Sequence, residues 1–218
     1  MTTSIESREK ILKEIRSAKK QMSTEQVGLE ASYAALPRPY VSRGALSHSA
    51  VIELMVERLR DYDADVVECM PESIANTIAK QLKANSKVAP IIPPGLPKEW
   101  QASELQWTAD HELSPFDVER FDSVVTGAFC GIADSGTIVL HHGPSEGKRL
   151  ISLLPDWHLC VLFASQIVET LPEYFARVDA RPDLVTWISG PSATADIEMT
   201  RIKGVHGPRF LSVVIVND

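Results

Sequence analysis

Residues Leu159 to Ala164 read Leu-Cys-Val-Leu-Phe-Ala, an apolar run with no polar residue on either alternating set. A strand with one face in water alternates apolar and polar side chains, so a run that is apolar on both sets requires cover on both of its faces. It is far too short to cross a bilayer, which takes roughly 20 apolar residues. A central strand of a parallel sheet, with helices above and below, is the architecture that satisfies it. The preceding chain supplies the helices and further strands. Residues 47–62 carry Val51, Met55 and Leu59 as one apolar stripe, with Ser47 or Ser49 placed to cap the helix. Asp65 to Cys69 reads as a strand, and Pro71-Glu72-Ser73 opens a helix striped by Ile74, Ile78 and Leu82. Val88 to Ile92 is a second strand, closed by Pro93-Pro94-Gly95. This alternation predicts an α/β domain with a doubly wound, largely parallel sheet.

Beyond residue 113 strands become denser. Val124–Ala128 and Thr137–His141 are expected to pair with each other across a Gly131–Gly136 loop, and Val185–Ser189 and Phe210–Val216 to form the last two strands. Thr170-Leu171-Pro172-Glu173 has the form of a capping box, predicting a short helix that carries Leu171, Tyr174 and Phe175. At the other end, residues 7–20 place Ile11, Ile15 and Ala18 on one face, with Leu12 beside them and charges opposite. Residues 21–44 are polar and punctuated by Pro37 and Pro39, so they read as a linker. The expected organisation is a helix-and-linker arm over residues 1–44 ahead of the α/β domain at 45–218. The arm's helix either packs on its own domain or docks on a partner.

Charge and composition exclude several functions. The 218 residues suffice for one well-buried domain, and a formal net charge of −7 opposes binding to a nucleic-acid backbone. No apolar run approaches a transmembrane length, and the first residues turn polar at once, so a cytoplasmic protein is expected. Cys69, Cys130 and Cys160 are scattered, with no CxxC spacing. They read as reduced, buried thiols rather than as ligands of an iron–sulfur cluster or zinc. No Walker or Rossmann glycine fingerprint is present. Neither a cofactor nor a metal is therefore expected.

The candidate chemistry lies in glycine-rich loops at strand ends, where open α/β sheets build ligand sites. After Gly190-Pro191, the residues Ser192, Thr194, Asp196 and Glu198 recur with a period of two. If that segment is extended they share one face; if it enters a helix, Ser192 or Thr194 caps it and free amides face a ligand. A plain turn followed by a capped helix is the alternative without a ligand. Ser135, Gly136 and Thr137 form a second loop of the same character. His206, held between Gly204 and Gly207-Pro208, is placed for acid–base work or is simply a satisfied loop histidine. Arg149, with Lys148, Arg201, Lys203 and Arg209, flanks these loops and is able to draw in a carboxylate or phosphate, or is ordinary solvated charge. His141 and His142 are adjacent, so on a strand they face opposite sides and do not share a metal. Ser135 lacks the Gly-x-Ser-x-Gly setting of a strand-to-helix nucleophile.

Four segments carry a family resemblance: GIADSGTIVL at 131–140, SLLPDWHLCVLFASQIV at 152–168, ISGPSATADIE at 188–198 and GVHGPRFLSVVIV at 204–216. Together they resemble the lactate utilisation protein C family, whose module is the LUD domain. The resemblance implies the topology shared by glucosamine-phosphate isomerase, ribose-phosphate isomerase and CoA-transferase domains. It implies a non-redox accessory subunit of an L-lactate oxidation system, whose iron–sulfur protein partners supply the cysteine motifs missing here. The ligand would be a small anion bound by Ser135, Gly136, Thr137, Arg149, Gly190, Ser192 and Thr194. An independent isomerase- or CoA-transferase-like enzyme is the second implication, acting on a small carboxylate or sugar phosphate. Asp196 or Glu198 would then be its base or nucleophile, with His206 a further catalytic candidate. A binding module without catalysis is the third.

Overall fold

The computed structural model describes residues 4–37, 39–179, 182–194, 202–204 and 206–218. The chain divides into two compact units, Met1–Tyr40 and Val41–Asp218. The first is built on one helix, α1 (Ser4–Ala34), of 31 residues. The helix continues through residues 21–34, where the sequence reading placed a linker. That segment contains no proline and is rich in Gln, Glu, Ala, Leu and Met, all good helix formers. The helix stops just short of Pro37, which disfavours helical geometry in the residue before it.

The second unit runs α2 (His48–Asp61), β1 (Asp65–Cys69), α3 (Ile74–Ala84), β2 (Ile91–Ile92), β3 (Thr108–Ala109), α4 (Pro115–Val118) and β4 (Ser123–Thr126). It continues with β5 (Cys130–Ile132), β6 (Thr137–Leu140), β7 (Trp157–Phe163), β8 (Ile167–Val168), α5 (Leu171–Arg177) and β9 (Thr186–Ile188). It ends with β10 (Ala193–Thr194), β11 (Ile202–Lys203) and β12 (Phe210–Val216). Six strands form one sheet in the order β1-β12-β7-β4-β2-β3, with every pairing parallel. The doubly wound α/β fold expected from the sequence is thus the fold observed. The apolar run lies in β7, paired to β12 along its whole length from Trp157↔Phe210 to Phe163↔Val216. Its other edge pairs with β4, from Ser123↔Trp157 to Thr126↔Cys160.

Both faces of β7 are covered, as its composition demands. Leu159 and Val161, with Val125, Val214 and Val216, pack against Ile74, Ile78 and Leu82 of α3. Cys160 and Leu162, with Val213 and Ile215, pack against Val51, Met55 and Leu59 of α2 and against Ile138 and Leu140 of β6. Helix starts follow the sequence signals. Ser47 is the α2 cap, its hydroxyl accepting from the Ala50 amide at 3.3 Å. In the capping box of α5, Glu173 accepts from the Thr170 amide at 2.9 Å. Glu169 and Glu173 also accept from the amides of Leu46 and Gly44, fastening the segment ahead of α2. Cys130 and Cys160 are buried, Cys69 is half-buried, and all three are free. Burial raises the thiols of Cys130 and Cys160 to about 11 and about 12.

A second sheet, ordered β8-β5-β6-β9, covers the α2 side. Here the expected pairing of Val124–Ala128 with Thr137–His141 is overturned. The partner of β6 is β5, with Cys130↔Val139 and Ile132↔Thr137, while β4 stays in the main sheet. The apolar stretch from Val124 is longer than one strand, and the chain leaves the first sheet at Gly127, whose amide donates to the Ser145 carbonyl at 2.9 Å. The presumed Gly131–Gly136 loop is correspondingly shorter. Gly131 lies in β5, and a single 3-10 turn over Ala133–Ser135 ends at Gly136 with φ of 59°. A Cβ on Gly136 would stand 2.7 Å from Arg58 Cβ and 3.0 Å from its carbonyl carbon, so the turn sits directly on α2.

Gly136→Ala combines left-handed backbone, at about 1–2 kcal/mol, with that clash. We expect a loss of about 2 kcal/mol or more, a fall in Tm of roughly 4–8 °C for a domain of this size. Thermal melting followed by circular dichroism checks it, and an unchanged Tm would show that the turn is not held against α2.

Candidate functional site

A polar cavity of about 220 Å³ lies in the second unit where the first residues of β7 and β12 meet β9 and the turn that follows it. Its polar wall comprises Arg149, Ser152, His158, Thr186, Ser192 and His206. Arg149 stands in the connection from β6 to β7 and is half-buried. Its guanidinium donates to the Ser152 carbonyl at 3.0 Å, to Ser152 Oγ at 3.2 Å and to the His206 carbonyl at 3.4 Å. Among the described residues no carboxylate lies within ion-pair distance of it. Burial lowers its pKa without threatening its charge. Arg209, by contrast, is neutralised by a two-pronged pair with Asp156, at 2.5 and 2.9 Å.

His158 is the least expected member of the wall. It sits in the otherwise apolar β7, 1% exposed. Its Nε2 lies 2.8 Å from Thr126 Oγ1 on the neighbouring strand. The Thr126 hydroxyl donates to Cys160 Sγ at 3.8 Å, and the Cys160 thiol to the Gly127 carbonyl at 3.5 Å. Desolvation, and then the charge of Arg149, lower its pKa to about 4, so the ring is neutral at physiological pH.

The loop residues singled out by sequence divide into two groups. Gly190, Ser192, Arg149 and His206 line the one cavity. Ser192 stitches that wall together: its amide donates to the Pro208 carbonyl, its carbonyl accepts from the Gly204 amide, and its hydroxyl accepts from the His206 amide at 3.0 Å. At Ala193–Thr194 the chain is extended and pairs antiparallel with Ile202–Lys203, so the segment begins as a strand rather than as a capped helix. Asp196, Glu198 and Arg201 lie outside the described residues. Ser135, Gly136 and Thr137 sit behind the cavity wall. Ser135 Oγ is 2.8 Å from Thr137 Oγ1, which is 2.7 Å from Ser189 Oγ, tying the turn to β9. Gly190, at φ of 78°, would put a Cβ 2.5 Å from Tyr62 Cβ, so it too seats against the end of α2.

The adjacent histidines part company, but not by strand alternation: both lie beyond the end of β6, and His142 has a φ of 58°. His141 Nε2 is 2.7 Å from the Tyr174 hydroxyl, and its ring stacks on Phe129 at 3.6 Å. His142 donates from Nδ1 to the Gly147 carbonyl at 2.7 Å and accepts at Nε2 from the Thr186 hydroxyl at 2.8 Å. Buried Glu146 accepts from the His141 amide, fixing the loop between them; desolvation raises its pKa against the opposing pull of nearby amides.

The sequence profile of the LUD domain matches residues 52–216, which contain every described wall of this cavity. The chain belongs to the LUD domain family. A protein named Lactate utilization protein C from Deinococcus radiodurans is 39% identical over 188 residues, 84% of this chain and 86% of the relative. Lactate utilization protein C from Bacillus subtilis is 31% identical over 134 residues, 56% of this chain and 55% of its own. The crystal structure of a DUF162 family protein from Deinococcus radiodurans superposes with a TM-score of 0.68 at 34% identity, covering 79% of this chain and 99% of that one.

Sequence reasoning missed His158, Ser152 and Thr186 in this LUD domain. The available signal was a lone histidine at the head of an apolar strand. Such a group must find a hydrogen-bond partner, but which partner depends on strand register. The resulting cavity sets a half-buried guanidinium beside a neutral imidazole and several hydroxyls, an arrangement complementary to a small anion.

Because the folded pKa of His158, about 4, lies below its ordinary 6.5, the unfolded chain takes up a proton first as pH falls. Stability present above pH 6.5 is therefore lost progressively between about pH 6.5 and 4, by about 3 kcal/mol in total. Urea unfolding at pH 7.5 and 4.5 should show a smaller acid loss in His158→Gln than in the native chain. Equal losses in both proteins would count against a buried neutral ring.

Proposed function

We propose that this LUD domain serves lactate utilisation as a non-redox cytoplasmic subunit, binding a small carboxylate at Arg149 and working beside iron–sulfur protein partners. The names of the relatives support the metabolic setting. The three cysteines lack cluster spacing, so the electron-carrying ligands fall to other chains. Among the described residues no helix is long and apolar enough to cross a membrane. The observation that carries the ligand assignment is Arg149, which is half-buried in a polar cavity and held by neutral acceptors alone among the described residues. Among the described residues a charged group held that way has no counter-charge, and a bound carboxylate would supply one through charge-assisted hydrogen bonds. The remaining candidates fit around that assignment. Gly190 and Ser192 shape the wall, and His206 presents its carbonyl to Arg149. The catalytic reading, with Asp196 or Glu198 as base or nucleophile, falls on residues outside those described.

Calorimetric titration with L-lactate and with propionate tests the site. Arg149→Met should weaken both by roughly 10- to 100-fold, the worth of a charged hydrogen bond. Affinities unchanged by the substitution would remove the carboxylate assignment. Affinity capture of the tagged chain from lactate-grown cells tests the partners: proteins bearing clustered CxxC motifs are expected, and their absence would argue for a chain that acts alone.

A further inference from the structure

We propose that a second pocket, at the carboxyl ends of β2 and β3, binds an α-amino acid with a small aliphatic side chain. Its ammonium sits on Asp110 and its carboxylate on Lys148. The proposal does not depend on what Arg149 holds, because neither Asp110 nor Lys148 lines that cavity.

This pocket, of about 380 Å³, is walled by Pro94 after β2, by Asp110 after β3 and by the loop after β6 that carries Pro144 and Lys148. It stands where the connections of the main sheet diverge, the place where open α/β sheets gather ligands. Its walls are tied to one another. The Gly95 amide donates to the Pro144 carbonyl at 3.1 Å, and buried Glu146 accepts from the His141 amide to fix the loop. His142 has both ring nitrogens committed, at 2.7 Å to the Gly147 carbonyl and 2.8 Å to the Thr186 hydroxyl. It acts as a partition between the two cavities rather than as a contact for a ligand.

Asp110 is only 3% exposed. Its Oδ1 accepts from the Leu113 amide at 3.1 Å, and no described residue donates to Oδ2. Among the described residues no buried side-chain oxygen or nitrogen lacks a partner, so Oδ2 touches open space, and the space that Asp110 lines is this pocket. No described cation lies within ion-pair distance of the carboxylate. A hydroxyl from a ligand would fill the vacant hydrogen-bond position and leave the charge unanswered; an ammonium answers both. Lys148 stands on the same wall, exposed and without an ion pair to any described residue. Its charge opposes the entry of a simple alkylammonium and attracts a carboxylate. A zwitterion with both groups on one carbon satisfies the two residues together. The rings of Pro94 and Pro144 complete an apolar wall, which suits an aliphatic side chain.

Calorimetric titration of the full chain with L-valine and with isobutylamine, its isostere lacking the carboxylate, tests the pairing. L-Valine should bind about two- to fivefold tighter than isobutylamine, the worth of an exposed ion pair at Lys148. Asp110→Asn keeps an oxygen for the Leu113 amide and removes the charge; it should weaken L-valine by tenfold or more, as the loss of a charged hydrogen bond does. An excess of 3-methylbutanoate, which has the carboxylate and the aliphatic group without the ammonium, should not displace L-valine. Absence of L-valine binding, an affinity unchanged in a folded Asp110→Asn protein, or displacement by 3-methylbutanoate would overturn the proposal. The last of these would put L-valine in the Arg149 cavity instead. The native chain's titrations and the displacement experiment decide alone if the variant does not fold, and none of these outcomes bears on carboxylate binding at Arg149, which its own substitution tests.

Discussion

The burial of β7 on both faces is the constraint on which the rest of the second unit depends. Leu159, Cys160, Val161 and Leu162 are fully buried, and strands stand on both edges. A strand so placed has no surface of its own, so α3 must cover one side and α2 with the second sheet the other. In such a strand a polar residue is tolerated only where its hydrogen bonds are met within the fold. His158 meets that condition through Thr126, and the same pairing that fixes the main sheet fixes the imidazole.

Glycines set how closely the second layer approaches. A Cβ on Gly131 would come 2.8 Å from Leu162 Cδ2, and Cβ atoms on Gly136 and Gly190 would meet Arg58 and Tyr62 of the α2 region. These contacts bring β5, β6 and β9 down onto α2 and the main sheet, placing Thr186, Ser189 and Gly190 over the start of β7. Glycines that read as the makings of an anion cradle act at Gly136 and Gly190 as seats for one layer on another. The cavity is the space left where that seating ends.

Much of this was legible in the sequence, and what was not has a common cause. The stripes Val51-Met55-Leu59 and Ile74-Ile78-Leu82 are local patterns, and both emerged as core faces of the expected helices. The capping box at Thr170 needs only four residues to declare itself. The strand pairing across Gly131–Gly136 went astray because an apolar stretch does not announce where it changes sheets, and Gly127 had no distinguishing mark. The supposed linker over 21–34 was read from polarity, whereas helix propensity and the position of Pro37 decide it. At the site, Gly190, Ser192 and His206 were visible as loop punctuation. His158 was not, because its meaning lies in Thr126, 32 residues away on another strand.

The location of the cavity bears on why side chains must supply its electrostatics. In open α/β sheets ligands gather at the carboxyl ends of the strands, where connections diverge and helix amino termini point at the ligand. Here connections diverge between β2 and β4, and a loop of the chain crosses that place, lining an apolar pocket with Pro94 and Gly95. The Gly95 amide donates to the Pro144 carbonyl at 3.1 Å and the Gly127 amide to the Ser145 carbonyl at 2.9 Å, so the Gly143–Gly147 loop is laced across both strand ends. The polar cavity instead lies at the amino ends of β7 and β12, beside the paired residues His158 and Leu211. The carboxyl end of α2 adjoins it, where Gly190, a lining residue, packs on Tyr62. That end of a helix carries partial negative charge and repels an anion. An anion in this cavity therefore depends on a full positive charge from a side chain. Arg149, held on the wall by Ser152 and the His206 carbonyl, is the lining side chain that carries such a charge.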